Sequence, residues 1–236
     1  MNAADNLIAS IRGRFGTILA DPPWQFQNRT GKMAPEHKRL SRYGTMSLQE
    51  ITELPVHLCA AERSHLYLWV PNAMLEDGLR VMRAWGFNYK SNIVWHKVRK
   101  DGGSDGRGVG FYFRNVTELI LFGVRGKAVR TLAPGRTQVN LLATRKREHS
   151  RKPDELYRLI ENCSWGPYLE LFARTRREKW TNWGNQAPEE VDSFAGPTFG
   201  RAYSETGNAI IGDLDAEQLR LMEQPPRSSS RARKSA

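Results

Sequence analysis

A chain of 236 residues builds one α/β domain with a sizeable core but not two with a linker, and its formal net charge of +11, from 36 Lys and Arg against 25 Asp and Glu, asks for an anionic partner such as a phosphate backbone. Cys59 and Cys163 lie far apart with no ligand spacing around them, which argues against a disulfide framework or a zinc site and for a reducing cytoplasm. No apolar run approaches membrane length and the N-terminus lacks a signal-peptide pattern, so a soluble, cytoplasmic protein with no membrane partner is expected.

Residues 1–14 carry a modest helical pattern, with Leu7, Ile8 and Ile11 on one side. Phe15 to Ala20 reads as a buried strand, apolar with β-branched members and closed by Asp21-Pro22-Pro23-Trp24. Pro22 and Pro23 cannot continue a ladder, which leaves the Asp21 carboxylate at the strand tip. Ligands of open α/β sheets bind at the carboxyl ends of strands. A carboxylate and a fixed backbone carbonyl aimed at one point suit an exocyclic amine, whose two hydrogens need two acceptors. Trp24 then offers a face for an extruded base. The plainer alternative is a strand ending in a Pro-Pro turn with Trp24 in the core.

Residues 25–42 are polar and basic and read as a mobile loop beside the site. After Tyr43-Gly44-Thr45-Met46, Ser47 is placed as an N-cap, and Glu50 completes a capping box for a helix through Glu53. His65 to Val70 is a second buried strand ended by Pro71. Glu76 to Trp85 has helical spacing with Gly86 as its cap, and Asn88 to Val98 is a third strand. This rhythm predicts a mostly parallel sheet with helices on both faces. Arg99 to Gly110 holds five glycines and fits no phosphate-cradle spacing; it reads as a connection whose surroundings supply phosphate contacts, Lys97, Arg99, Lys100, Arg107 and Arg114. Thr117 to Val124 is a strand that a short connection allows to pair antiparallel.

Arg125 to Arg136 is basic and turn-rich, Gln138 to Ala143 is apolar, and Thr144 to Lys152 is a basic run. Lys152 stands just ahead of Pro153 and a helix over Asp154 to Cys163, a placement suited to a carboxylate. Tyr168 to Ala173 is the last central strand. Glu170 within it needs a partner, and Arg174 is the candidate, in an ion pair or in placing a ribose. Trp180 to Trp183 is a short strand, followed by Asn185 and Gln186, whose amides suit ribose hydroxyls. Residues 1–190 form the expected domain and 191–236 an extension. A short helix is expected over Ala216 to Glu223, and a basic, disordered tail over 225–236.

Asp21-Pro22-Pro23-Trp24 resembles the catalytic motif of methyltransferases that act on adenine N6 in nucleic acids. Tyr43-Gly44-Thr45-Met46, Lys152-Pro153-Asp154-Glu155, and Glu170-Leu171-Phe172-Ala173-Arg174 leading to Trp183-Gly184-Asn185-Gln186 narrow the resemblance to the MT-A70 family. The resemblance implies a Rossmann-like fold with a permuted order, catalytic motif first and cofactor strand near the C-terminus. It implies S-adenosylmethionine as cofactor and no metal. Asp21 and the Pro22 carbonyl take the amine hydrogens, Pro23 completes the rigid turn, and Trp24 stacks the base. Tyr43 lines the substrate pocket, and Lys97 and Arg114, read above as phosphate contacts, add to the substrate-binding set. Lys152 meets the methionine carboxylate, and Asp21, Glu170, Arg174, Asn185 and Gln186 complete the cofactor site. Asp5 and Asn6 lie where relatives hold the cofactor's adenine. A His-Asn pair that contacts the carboxylate in some relatives is Arg176-Arg177 here. The small build favours DNA as the substrate. An RNA substrate, a non-catalytic nucleic-acid-binding subunit and a homodimer stay open.

Overall fold

The computed structural model describes residues 2–25, 45–106, 112–145 and 152–184 and the backbone of 210–211. Helix α1 (Ala3–Ser10) starts at Asn2, whose side chain accepts the Asp5 N–H, and β1 (Phe15–Ala20) is buried along its whole length. The Ser47–Glu50 capping box is present as expected and starts α2 (Leu48–Glu53). A four-residue helix, α3 (Val56–Cys59), has no counterpart in the sequence reading. Strand β2 (Ala60–Val70) begins five residues before the expected His65, because exposed Glu62 and Arg63 break the apolar run without breaking the strand. Helix α4 (Leu75–Ala84), β3 (Asn88–Val98), β4 (Thr117–Arg125), β5 (Leu141–Arg145), α5 (Glu155–Cys163), β6 (Tyr168–Leu171) and β7 (Trp180–Trp183) follow.

The sheet runs in the order β7-β6-β1-β2-β4-β3-β5, with a two-residue strand β8 (Ile210–Ile211) beside β5. All neighbours pair in parallel except β4, which runs against both β2 and β3. This is the Rossmann-like α/β architecture, mostly parallel, with one reversed strand where the Arg99 loop returns the chain. Strand β8 lies past residue 190, so part of the extension comes back to the sheet edge. The Ala216 helix and the tail lie outside the described residues.

Helices cover both faces. Leu7 of α1, Ile51 of α2 and Val81 and Met82 of α4 pack on Ile18, Ala20, Leu66 and Leu68. Leu156, Leu159 and Ile160 of α5 pack on Leu19, Tyr67, Trp69 and Ile120 from the other side. Alternation along β1 sends Leu19 and Asp21 to the α5 face. Gly78 is what lets α4 lie close: a Cβ there would meet the Val70 side chain at 2.5 Å. Burying these side chains gives about 25 cal/mol per Å² of apolar surface, the main stabilising term.

Candidate active site

The strand tips define the site. Asp21 directly follows β1, and its N–H donates to the Leu171 carbonyl at the end of β6 at 3.4 Å. Strand β2 ends beside them at Val70, and the reversed β4 contributes its start, so Thr117 and Glu118 arrive at the same end of the sheet. Lys152, just ahead of α5, points into this cluster. Its Nζ donates to Glu118 Oε2 at 2.7 Å, lies 3.4 Å from Asp21 Oδ1, and sits 4.3 Å from the centroid of the Trp69 ring. Lys97 Nζ donates to the other oxygen of Glu118 at 2.5 Å and lies 4.9 Å from the Trp95 ring. Trp69 and Trp95 meet edge to face at 5.6 Å. The side chains of Lys97, Lys152, Asp21 and Glu118 are 16, 22, 24 and 27% exposed, so all four face an opening and not the core.

The charges respond to this layout. Burial works against an ionised Glu118, but the charges and hydrogen bonds of Lys152 and Lys97 overcome it and take its carboxyl down to about 2. Burial also opposes the Lys152 ammonium, and Asp21 with Glu118 raises it above the ordinary lysine value. Asp21 is raised by burial and by the Glu118 charge, against the pull of Lys152 and Arg174. The result is a cationic lysine held by a fully ionised Glu118 next to the carboxylate at the β1 tip.

A second group lies along β6. Glu170 Oε1 accepts from the Tyr157 hydroxyl at 2.7 Å, and Oε2 accepts from Asn182 Nδ2 across the β6–β7 pair at 3.2 Å. Burial lifts its carboxyl to about 7, with the Tyr157 bond lowering it and the Asp21 charge raising it. Of the two roles open to Arg174, the ion pair with Glu170 is not formed, since two neutral donors hold Glu170, and the Arg174 charge acts on Asp21. Phe172 makes the turn from β6 to Arg174 in the left-handed region, at φ 63°, and packs on Trp183. Gly184 fits there because a Cβ would meet the Ala173 carbonyl at 2.5 Å. Arg177 is paired with Asp154 and lies 3.8 Å over the Tyr157 ring. It braces the start of α5.

Two expectations need correction. Trp24 is not an open platform. It is 5% exposed and packs with the α1–α4 side of the sheet, and its indole N–H donates to the Trp69 carbonyl at 2.9 Å. The Pro-Pro turn sends Asp21 and Trp24 to opposite faces, and an indole pays less to be buried there than to face water. Lys97 is not an open phosphate contact either, since Glu118 holds it inside the site.

Pro22 and Pro23 keep their turn, yet each carbonyl already accepts one bond, Pro22 from the Trp24 N–H at 2.8 Å and Pro23 from the Met46 N–H at 3.0 Å. A second lone pair on the Pro22 oxygen remains for a ligand. Arg114 is exposed, and Arg99 pairs with Asp101 at 2.7 Å. Asn6 accepts from the Trp183 indole at 2.8 Å. Tyr43, Asn185, Gln186 and Arg107 lie outside the described residues.

Glu118, Trp69, Trp95, Tyr157 and Asn182 escaped the sequence reading. Glu118 carried the same signal as Glu170, an acid inside an apolar strand. The others were read only as members of their strands and helix. Among the described residues no helix is long and apolar enough to cross a membrane, and no group of His, Cys, Asp or Glu is placed to hold a metal ion.

Comparison with known proteins follows the same segments. An N(6)-adenosine-methyltransferase MT-A70-like protein of Arabidopsis thaliana is 30% identical over 180 residues, covering 75% of this chain and 24% of that protein. The human N(6)-adenosine-methyltransferase catalytic subunit METTL3 is 30% identical over 184 residues, 76% of this chain and 29% of its own length. The type II methyltransferase M.MunI of Mycoplasma sp is 28% identical over 209 residues, 80% of this chain and 85% of the relative. The chain thus spans about a quarter of the length of the adenosine methyltransferases and most of the length of the Mycoplasma enzyme. The MT-A70 family model matches residues 15–186, from the first residue of β1 past the end of β7, and the chain belongs to the MT-A70 family.

Proposed function

We propose that this protein transfers a methyl group from S-adenosylmethionine to the N6 amine of adenine in a polynucleotide, DNA before RNA, with residues 1–190 as the catalytic domain. The observation that carries the reading is the Asp21 carboxylate at the β1 tip, beside the free lone pair of the Pro22 carbonyl and 3.4 Å from Lys152. The length shared with the type II methyltransferase supports DNA. The adenosine named in the other relatives keeps RNA as the second reading.

The residues present fit the cofactor. Asp21, Lys152 and Arg174 gather both signs of charge at one end of the sheet, as an amino-acid zwitterion requires. Glu170, its two oxygens fixed by Tyr157 and Asn182, suits a hydroxyl-bearing sugar. When bound, S-adenosylmethionine supplies an electrophilic methyl on a sulfonium.

Asp21 and the Pro22 oxygen accept the two hydrogens of the substrate amine, which turns its lone pair away from the ring and towards the donor side of the site. The amine becomes strongly acidic only once methylated, and its surplus proton then passes to the Asp21 carboxylate that already accepts from it, so no separate base is needed at the outset. Lys152 keeps the Asp21 oxygens in place, and Glu118 with Lys97 keeps Lys152 charged and still. Trp69 and Trp95 form one wall of the site, against Lys152 and Lys97. The test is methyl transfer from isotope-labelled cofactor to DNA and RNA in parallel, with nucleoside analysis of the products. N6-methyladenine in DNA is expected. Label in RNA alone would make RNA the substrate, and label in neither would remove the activity.

A further inference from the structure

Tyr112 and Phe113 are 92 and 84% exposed, far beyond any other large hydrophobic side chain among the described residues, of which Ile8 is next at 49%. They stand on a fixed base. Three residues on, the Val116 carbonyl accepts the Lys97 N–H at 2.8 Å, and the Asn72 amide donates to both the carbonyl and the hydroxyl of Thr117 at 3.1 Å. Glu118 of the active-site cluster follows at once. Four residues separate Phe113 from Glu118, so five Cα-to-Cα steps reach at most about 18 Å even when fully extended. The pair therefore lies within that reach of the active-site cluster, on the connection that leads directly into it.

The surroundings favour one kind of occupant. Arg114 and Lys100 are exposed on the same connection, and from 106 to 117 the sequence holds two arginines and no acid. A chain of net charge +11 meets a second copy of this surface with repulsion and a polyanion with attraction. Aromatic rings beside cations are the chemistry of base stacking along a phosphate backbone. An adenine drawn out to reach Asp21 leaves its neighbours partly unstacked, with open faces to cover.

We propose that Tyr112 and Phe113 form a stacking platform for the bases flanking the target adenine, with Arg114 on the adjoining phosphate. The platform rests on the reading of the protein as a polynucleotide methyltransferase and adds to it the surface that receives the strand. With Trp24 packed in the core, it takes the stacking role that the Asp21 tetrad lacks.

The test compares the full chain with Tyr112→Leu/Phe113→Leu and with the conservative exchange Tyr112→Phe/Phe113→Tyr. Fluorescence anisotropy measures binding of labelled adenine-containing oligonucleotides, single- and double-stranded, at fixed salt, alongside calorimetry with S-adenosylhomocysteine and sedimentation velocity. The leucine pair should lose from about 5-fold to about 150-fold in oligonucleotide affinity, with cofactor-product affinity and sedimentation unchanged. The conservative exchange should stay within twofold of wild type. Unchanged oligonucleotide affinity in the leucine pair, while the wild type binds and methylates, overturns the platform alone. A change in sedimentation also overturns it, because the pair would then cover a second copy. A wild-type chain that neither binds nor methylates polynucleotide overturns the platform together with the proposed function.

Discussion

Glu118 holds one lysine on each carboxylate oxygen, and only one of those lysines touches Asp21. The order of the chain of contacts matters: Lys97 fixes Glu118, Glu118 fixes Lys152, and Lys152 steadies the carboxylate that receives the amine. Asp21→Ala removes the end of that chain. It should cost about 10²–10³ in transfer rate, of the order seen when one well-placed acceptor or donor is lost. A variant within threefold of wild-type rate in a single-turnover assay would refute the role. Glu118→Gln takes the carboxylate from part-buried Lys97 and leaves Lys152 with Asp21 as its remaining counter-charge, and should lower stability by about 1–3 kcal/mol in urea denaturation. Glu170 behaves in the opposite sense. Its folded carboxyl titrates near 7, above its ordinary value of 4.5, so the folded state holds the proton more tightly than the unfolded chain. Its contribution is complete below about pH 4.5, declines as the pH rises, and is lost above about pH 7. Relative to Glu170→Gln, wild-type stability should therefore fall between those limits, and parallel curves across that window would show that Glu170 is already ionised.

At the scale of elements, the reversed β4 decides the site. A fully parallel arrangement would put the start of β4 at the far end of the sheet, and Glu118 with it. The sequence hinted at the reversal through the short Arg99 connection, but pairing between strands is non-local and composition does not encode which neighbours β4 will take. Local signals were legible: the Ser47 capping box, the bounds of β3 and β7, and the acid stranded in β6. Partners were not. Glu170 was matched to Arg174 by distance along the chain, whereas the fold brings Tyr157 from α5 and Asn182 from β7. Trp24 shows the same limit, because one strand tip carries residues to both faces and only packing says which. Trp24→Phe keeps an aromatic side chain but loses the pyrrole ring and its N–H bond to the Trp69 carbonyl, which should cost at least about 1–2 kcal/mol of stability. Oligonucleotide affinity should stay within twofold. A loss beyond tenfold would return Trp24 to a base-stacking role.

At the scale of the whole molecule, the +11 charge is an electrostatic handle on polyanions that acts irrespective of sequence. Oligonucleotide affinity should fall steeply and linearly on a log–log plot against salt. Deleting 225–236, which removes Arg227, Arg231, Arg233 and Lys234, should flatten the slope and leave methyl transfer in place. A slope near zero in the intact chain would assign the basic surface to another partner. The tryptophans bind the same molecule together in another way. The indole N–H of Trp24 reaches the Trp69 carbonyl, that of Trp85 the Ile51 carbonyl, that of Trp95 the Thr144 hydroxyl, that of Trp180 Glu161 and that of Trp183 Asn6. Each bond joins segments at least 19 residues apart. In a nitrogen-15 spectrum these protons give a handful of well-separated peaks, each standing for one long-range closure of the chain. Their deuterium exchange reads out, one joint at a time, which parts of the molecule open together and which hold until the last.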